Sequence, residues 1–234
     1  MRCFKPHLLV LTLLVSAAAP GQEPSFNLEI FGAFTTSSKL FPHANDPDEL
    51  NRSFFLELDN IFHTGIELRR SITSQGIQIG LGAEYVQKTD VINVPGSSGN
   101  IIPARDGYRV IPIELTGYFQ LPIGNETIHV YIGGGGGLYL GTRFYEFASV
   151  GATVVDKKPG FGIHVLSGLE YSLNRSFSLR SEIKFRDVQF ESVNQFSQAT
   201  VTYNSSAITL DQTPFSSRFN IDGMTLRLGL AYHF

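Results

Sequence analysis

Strict alternation of apolar and polar residues is the feature that most constrains the fold of this chain. From Ile77 to Tyr85, apolar side chains occupy every second position, and Gln, Gly and Glu fill the positions between them. Successive side chains of a β-strand point to opposite faces, so this pattern predicts a strand with one apolar face. The pattern recurs in eight segments, at residues 26–34, 62–69, 77–85, 111–121, 128–140, 161–171, 177–186 and 224–234. The sequence therefore predicts an all-β fold.

The connections between these segments alternate between long and short. Long connections fall at residues 37–53, 91–107, 148–159 and 192–219, and short ones at 72–75, 122–127 and 174–176. Within the short ones, Thr73-Ser74 and Gly124-Asn125 suit two-residue hairpin turns. A tilted strand of about ten residues crosses a bilayer core, and short turns on one side with long loops on the other are typical of outer-membrane barrels. We therefore expect an eight-stranded antiparallel up-and-down transmembrane β-barrel with both termini in the periplasm.

Proline interrupts the fourth of these segments at Pro112. A barrel has no edge strand, so a proline within the ladder removes a hydrogen bond. Either a bulge accommodates Pro112, or the residue lies above the membrane zone. We expect the second arrangement, because residues 113–121 can still nearly span the bilayer.

The first 21 residues have the pattern of a secretory signal peptide. Two basic residues precede an apolar run from Leu8 to Val15, and three consecutive alanines follow. The run is shorter than the roughly 18 apolar residues that a transmembrane helix needs. We expect cleavage after Gly21, which leaves residues 22–234 as the barrel domain.

Composition excludes several functional classes. The formal net charge of -3 provides no cationic surface for nucleic acid. The only cysteine, Cys3, lies in the expected signal peptide, which excludes a disulfide framework, a cysteine zinc site and a cysteine nucleophile in the mature chain. The glycine run at residues 133–137 lies inside a predicted strand with no following lysine, unlike a phosphate-binding loop. We expect close packing of bulky neighbours there, and no cofactor.

A soluble barrel or sandwich is the competing interpretation, because alternation alone does not say which face is inside. In a periplasmic ligand-binding barrel of the lipocalin type, the apolar face would line a cavity and the charged face would meet water. The many glycines on the polar face favour a crowded interior over an exposed surface. The other face is apolar in every segment, as a lipid-facing band requires. Both features favour the membrane barrel.

The C-terminal segment carries a recognisable motif. From Leu226 to Phe234, apolar residues alternate and the chain ends on an aromatic residue. This ending resembles the assembly signal of bacterial outer-membrane β-barrels, and the stretch from Gly168 to Glu182 resembles the penultimate hairpin of small OmpA, OmpX and PorT-like barrels. The resemblance implies an integral outer-membrane protein of a Gram-negative bacterium, surrounded by outer-membrane lipid. It also implies that the barrel-assembly machinery reads Leu228, Leu230, Tyr232 and Phe234.

The polar faces of the predicted strands carry charges of both signs. Six acids and five bases lie on them: Glu29, Glu67, Glu84, Glu114, Glu170, Glu182, Arg69, Arg180, Lys184, Arg186 and Arg227. An eight-stranded barrel is only wide enough to be filled by its own side chains, so we expect an ion-pair network in the lumen and no open pore. The hairpin at 174–176 places Glu170 opposite Arg180. Glu29 and Arg227 fall at similar heights on the first and last strands.

A membrane-embedded enzyme, such as a lipid-modifying acyl hydrolase or acyl transferase, is the functional alternative. It would need a serine, a histidine and a carboxylate within hydrogen-bond reach. The polar faces carry His63, His129, His164 and His233. No serine follows any of them at close spacing on the lipid face, and no clustered spacing supports a metal site. We therefore expect no catalytic residue and no metal ligand.

The long loops are the remaining candidates for function. Residues 192–219 are rich in Ser, Thr, Asn and Gln, and four apolar residues flank Asn204-Ser205-Ser206: Val201, Tyr203, Ile208 and Leu210. This pattern predicts a hairpin above the membrane, which would raise the count to ten strands if it joined the barrel. We expect a structural role, or an interaction of the loops with an extracellular partner.

Overall fold

The computed structural model describes residues 26–72, 76–95, 101–204 and 206–234. The expected signal peptide, the Thr73-Ser74 turn and residues 96–100 of the second connection lie outside the described residues. In the part of the chain that is described, no helix is long and apolar enough to cross a membrane.

The described chain consists almost entirely of antiparallel strands. In chain order the elements are β1 (Phe26–Phe41), α1 (Glu49–Ser53), β2 (Leu56–Ser71), β3 (Ile77–Pro95), β4 (Ile101–Gly124), β5 (Ile128–Phe147), β6 (Val150–Lys158), β7 (Gly160–Ser172), β8 (Phe177–Phe196), β9 (Thr200–Tyr203), β10 (Ser206–Thr209), β11 (Phe215–Ile221) and β12 (Met224–His233). The single short helix begins after Asp48, whose side chain accepts a hydrogen bond from the Leu50 amide.

The main sheet closes into a barrel of eight wall strands. It contains ten strands, but β6 and β7 are separated only by Pro159, and β11 and β12 only by Asp222 and Gly223, so each pair forms one wall strand. The ring closes because β1 pairs with both β2 and β12. The predicted fold class is therefore confirmed. The hairpin expected around Asn204 is present as β9 and β10, which pair only with each other and add no strand to the ring.

Two of the expected long loops are largely wall rather than loop. The β3–β4 ladder runs up to the pair Pro95 and Ile101. Strand β5 turns into β6 across Ala148 and Ser149 alone, both at positive φ (47° and 71°). Strand β4 has 24 residues, about 80 Å of extended chain and far more than a bilayer requires. The prediction of loops at 91–107 and 148–159 was wrong because these segments keep their ladder partners above the membrane.

The polarity of the two barrel faces inverts along each tall strand, as β8 shows. In its first half, Leu179, Ile183 and Phe185 are exposed on the outer face, while charged residues are buried inside. In its second half, Val188 and Phe190 are buried inside, while Asp187 and Gln189 are exposed outside. The lower half therefore suits lipid and the upper half suits water. The upper half has the apolar interior and polar outer face that the soluble-barrel alternative would have, and the lower half has the opposite arrangement, as expected for the membrane barrel.

Pro112 faces the interior and pairs with Tyr139 of β5 without a bulge. Its neighbours Ile111 and Ile113 are exposed on the outer face, so Pro112 lies at the upper end of the apolar band, and the expected position above that band was wrong. Pro112 has no N–H to donate, but it lies in a gap of the β3–β4 ladder. No residues are paired there, between the pairs formed by Ala83 and Val86.

Candidate functional site

Glu29 is the centre of the lower half of the lumen. Its Oε2 lies 2.8 Å from Nη2 of Arg227, 3.2 Å from Nη1 of Arg180 and 3.3 Å from Nη2 of Arg69. The residue is 0% exposed, so its charge is balanced by arginines and not by water. Because β1, β2, β8 and β12 each contribute one of these four residues, the cluster ties together four neighbouring wall strands.

Two further carboxylates complete this lower network. Arg227 Nη1 lies 2.9 Å from Oε2 of Glu67 and 3.3 Å from Oε2 of Glu182. Arg69 contacts Glu67 through Nε and lies 2.5 Å from Oε1 of Glu182 through Nη2. At the lower end, Arg180 Nε donates to Oε2 of Glu170 at 2.7 Å. We call the set of Glu29, Glu67, Arg69, Glu170, Arg180, Glu182 and Arg227 the lower network.

An upper network of two acids and two bases lies above it. Lys184 Nζ is 2.7 Å from Oε2 of Glu114 and 3.4 Å from Oε1 of Glu84. Arg186 Nη1 is 3.1 Å from Oε2 of Glu84 and 3.7 Å from Oε1 of Glu114. The four side chains are buried, and their formal charges cancel.

Tyrosines add hydrogen bonds to both networks. The hydroxyl of Tyr118 donates to Oε1 of Glu67 at 2.7 Å, and that of Tyr131 donates to Oε1 of Glu182 at 2.8 Å. Tyr139 donates to Glu114 in the upper network. The guanidinium of Arg69 also stacks 3.8 Å from the centre of the Tyr118 ring. This part of the lumen is therefore filled by polar side chains, most of whose polar atoms pair with one another, with Arg180 Nη2 and Arg186 Nε among the exceptions.

The structure places all eleven residues of the expected lumen set inside the barrel. Ten are buried, and Glu170 is half-buried at the lower end. Glu170 lies opposite Arg180 in the β7–β8 register, as the hairpin count predicts. Glu29 and Arg227 also meet across the junction of β1 and β12. The functional role of these residues stays a prediction.

Three histidines contact hydroxyl groups on other strands. His63 Nε2 lies 3.1 Å from Oγ1 of Thr35, and His164 Nε2 lies 2.9 Å from Oγ1 of Thr116, both deep inside the barrel. His233 Nε2 lies 2.8 Å from Oγ of Ser178 at the lower rim. The search for a Ser–His pair by sequence spacing missed this last contact, because the two residues belong to different strands. No group of three or more potential metal ligands occurs among the described residues.

An apolar layer, which we call the plug, closes the lumen above the upper network. The rings of Phe190 and Phe219 stack in it with centroids 4.8 Å apart. The plug was not predicted, because all of its residues except Tyr139 lie beyond the ends of the predicted strand segments. The layer consists of Leu40, Leu58, Ile61, Val86, Tyr108, Val110, Tyr139, Val188, Phe190, Phe219 and Ile221.

A buried ion pair and an open cavity lie above the plug. Arg143 donates to both oxygens of Asp106, from Nε at 2.8 Å and from Nη2 at 2.5 Å, and donates to Ser217 Oγ from Nη1 at 2.7 Å. The pair borders a cavity of about 600 Å³, which we call the cup. Neither residue was expected inside. The inward positions of β4 and β5, continued upward from Glu114 and Tyr139, would have found them.

The expected assembly signal lies at the lower end of the lipid-facing surface. Leu228, Leu230 and Tyr232 are exposed on the outer face of β12. The amide of Phe234 donates to the carbonyl of Phe26 at 2.9 Å, and the rings of these two residues stack with centroids 6.2 Å apart. Recognition by the assembly machinery stays a prediction.

Comparison with known proteins finds similarity in structure but not in sequence. No protein-family model matches the sequence, and no curated protein shows a significant sequence match. The outer-membrane protein OprG from Pseudomonas aeruginosa is 14% identical, with 91% of this chain and 97% of OprG covered and a TM-score of 0.56. Neisserial surface protein A is 12% identical, with 89% and 97% covered and a TM-score of 0.47. Ail of Yersinia pestis is 12% identical, with 91% and 100% covered and a TM-score of 0.44.

At these identities the comparison shows the fold alone, through the similarity to OprG. The fold agrees with the apolar outer band of the lower half, which is the surface that a bilayer requires.

Proposed function

Since the chain has the fold of the outer-membrane β-barrel proteins and a lipid-facing apolar band, we propose that it acts without an open pore and without catalysis. Its role is that of a structural element of the outer membrane, or of a wall above the membrane that contacts an extracellular partner. The closed lumen is the observation that carries this proposal.

Three stacked layers close the lumen. The lower network, the upper network and the plug follow one another along the barrel axis. At the lower end, the space beside Gln120 and Tyr131 amounts to about 40 Å³, enough for a few water molecules. An ion path would have to separate buried ion pairs, and leaving one such charge unpaired costs about 3–5 kcal/mol. The interior therefore supports a filled barrel.

The lower-rim contact of Ser178, His233 and Glu170 does not support hydrolysis. A catalytic histidine takes the proton of the nucleophile with one ring nitrogen and donates to the carboxylate with the other. Here both Ser178 Oγ, at 2.8 Å, and Glu170 Oε1, at 3.5 Å, approach the same Nε2 of His233. Arg180 already holds Glu170 at 2.7 Å. Ser178 is also buried, so a lipid ester has no direct approach to its hydroxyl.

Planar-bilayer recording of the purified barrel tests the closed lumen. Insertion is verified independently by flotation with liposomes and by the heat-dependent gel shift of folded barrels. We expect inserted protein without stable current steps. Large, stable conductance would overturn the proposal.

Lipid A analysis after expression tests the absence of catalysis. We expect lipid A to stay unmodified. Modified lipid A that returns to normal with Ser178→Ala or His233→Gln would decide for the enzyme.

A further inference from the structure

The cup above the plug has the size and lining of a small-molecule site. Its volume of about 600 Å³ lies within the range of about 300–1,000 Å³ that is usual for ligand pockets. The upper parts of β3, β4, β5, β8 and β11 form its wall, together with residues near the two ends of the first connection. The plug lies below it, so the cup is a dead end that a ligand enters and leaves from above.

The wall of the cup is apolar and aromatic. It is formed mainly by Ile92, Val94, Tyr145, Phe196 and Phe215. The Tyr145 ring packs against those of Phe196 and Phe215, with centroids 5.8 and 6.0 Å away. Burial raises the pKa of the Tyr145 phenol, so the phenol stays neutral. Such walls favour flat or bulky apolar molecules, because aromatic side chains supply large contact area in defined orientations.

The floor of the cup is polar but electrically balanced. Arg143 is 5% exposed and Asp106 is 1% exposed, and their charges cancel in a bidentate pair. The guanidinium also lies 4.5 Å from the centre of the Tyr145 ring. An arginine has five N–H donors, and three of these have partners among the described residues. A hydrogen-bond acceptor on a ligand therefore finds a donor at the floor.

The charge distribution disfavours a charged ligand. Asp106 already occupies the guanidinium, so an anion entering the cup would lose its hydration without gaining a free counter-ion. At the rim, Asp211 accepts the Thr213 amide at 2.8 Å, which lowers its pKa and keeps the carboxylate ionised. A cation would be attracted to Asp211 at the exposed rim, but inside the cup it would lose its hydration against the apolar wall.

The geometry points to a binding site for a small, uncharged aromatic or similarly apolar molecule that carries one hydrogen-bond acceptor. The wall takes the apolar body and Arg143 donates to the acceptor. This inference goes beyond the proposed structural role, and it holds whether or not the lumen below conducts.

Benzophenone is a suitable probe, because it has two aromatic rings, one carbonyl acceptor and no charge, and because light couples it to nearby C–H bonds. The purified barrel in nanodiscs is irradiated with increasing probe, and the adducts are located by peptide mass spectrometry. We expect saturable labelling of the cup wall at Ile92, Val94 and Phe215. Lipid-facing residues such as Phe161, which is exposed in the apolar band, provide the non-saturable background. Background labelling without any saturable adduct in the cup would overturn the inference.

Two valines of β3 provide a matched pair of variants. Val94 lines the cup, whereas Val91 is 67% exposed on the outer face. Val94→Lys places an ammonium inside the cup and should lower the saturable labelling about tenfold or more, because a charge opposes an apolar ligand there. Val91→Lys should leave it unchanged. Unchanged background at Phe161 shows that both variants are folded. Equal labelling of the cup in the two variants would contradict the inference.

The acceptor is tested with diphenylmethane, which has the two rings without the carbonyl. Each unlabelled compound competes with isotopically labelled benzophenone for the cup. Unlabelled benzophenone should compete about tenfold better than diphenylmethane, because one hydrogen bond to a charged donor contributes about that much affinity. The double variant Asp106→Leu/Arg143→Met removes both charges together, so neither is left buried alone. The double variant should still give the saturable adduct in the cup, but it should no longer prefer benzophenone over diphenylmethane. Equal competition in the wild type, or a preference that persists in the double variant, would show that Arg143 does not hold an acceptor.

Discussion

Glu29 and Arg227 join the first and last strands of the barrel by an ion pair inside the lumen. Nε of Arg227 donates to Oε1 of Glu29 at 3.1 Å, across 198 residues of sequence. In the β1–β12 register Glu29 faces Ala231 and Arg227 faces Ala33, so the two side chains meet diagonally. Gly229 makes the room for this contact, since a β-carbon there would lie 2.1 Å from Oε1 of Glu29. The pair therefore reinforces the seam at which the barrel closes.

Replacing Glu29 by glutamine should weaken the barrel strongly. The change removes the charge on which three buried arginines converge, and breaking a buried pair costs about 3–5 kcal/mol. The free energy of unfolding in urea is measured by circular dichroism, because the chain has no tryptophan. Glu57→Gln, on the exposed outer face of β2, is the control and should change stability little. Equal stability of the two variants would show that Glu29 does not organise the lumen.

Gly168→Ala should destabilise the barrel, because Tyr131 already occupies the space. A β-carbon at Gly168 would lie 2.5 Å from the Tyr131 ring, whereas one at Gly32 on the lipid face has no neighbour within 4 Å. Overpacking typically costs about 1–3 kcal/mol, while an unhindered Gly→Ala change in a strand is neutral or stabilising by about 0.5–1 kcal/mol. The free energy of unfolding in urea should fall in Gly168→Ala and should stay the same or rise in Gly32→Ala. Equal shifts would contradict the close packing of the lumen.

The inversion of polarity along β8 is tested by lysine at two adjacent positions. Val188 is buried in the plug, and Gln189 is exposed on the outer face. Val188→Lys buries an unpaired ammonium and should lower the yield of folded, heat-modifiable barrel, whereas Gln189→Lys should leave it unchanged. If Gln189→Lys is the harmful change, then the upper half has its apolar face outside, and the assignment of the two halves is wrong.

Two variants distinguish recognition of Phe234 during assembly from the packing of its ring against Phe26. Phe234→Ala and Phe26→Ala each remove one ring of the same stacked pair, and both leave the backbone hydrogen bonds between the two residues in place. If the assembly machinery reads Phe234, then Phe234→Ala should lower the amount of folded barrel in cells while Phe26→Ala does not. Refolding of the two purified variants into liposomes should be alike. A parallel loss in cells and in liposomes would assign Phe234 a purely structural role.

The local sequence pattern was sufficient to identify the eight wall strands, the two faces of their lower halves and the ion pairs that follow from counting along hairpins. Alternation with period two is a local property, so it identifies each strand and separates its two faces without knowledge of the neighbours. The turn through Asn174 sets the register of β7 against β8, and this register alone brings Glu170 opposite Arg180. The charges at Glu29 and Arg227 could be matched because the first and last strands of a closed barrel must pair.

The height at which the wall changes from a lipid-facing to a water-facing barrel follows from strand pairing and not from the local pattern. Period two is the same in lipid and in water, so it cannot say that the inner face changes from charged at Arg186 to apolar at Val188. That change depends on how far each strand rises above the bilayer, which is set by ladder pairing over the whole wall. Contacts between strands that are distant in sequence depend on the same pairing. The hydrogen bond from Arg143 of β5 to Ser217 of β11, at the floor of the cup, becomes visible only when the ring is closed.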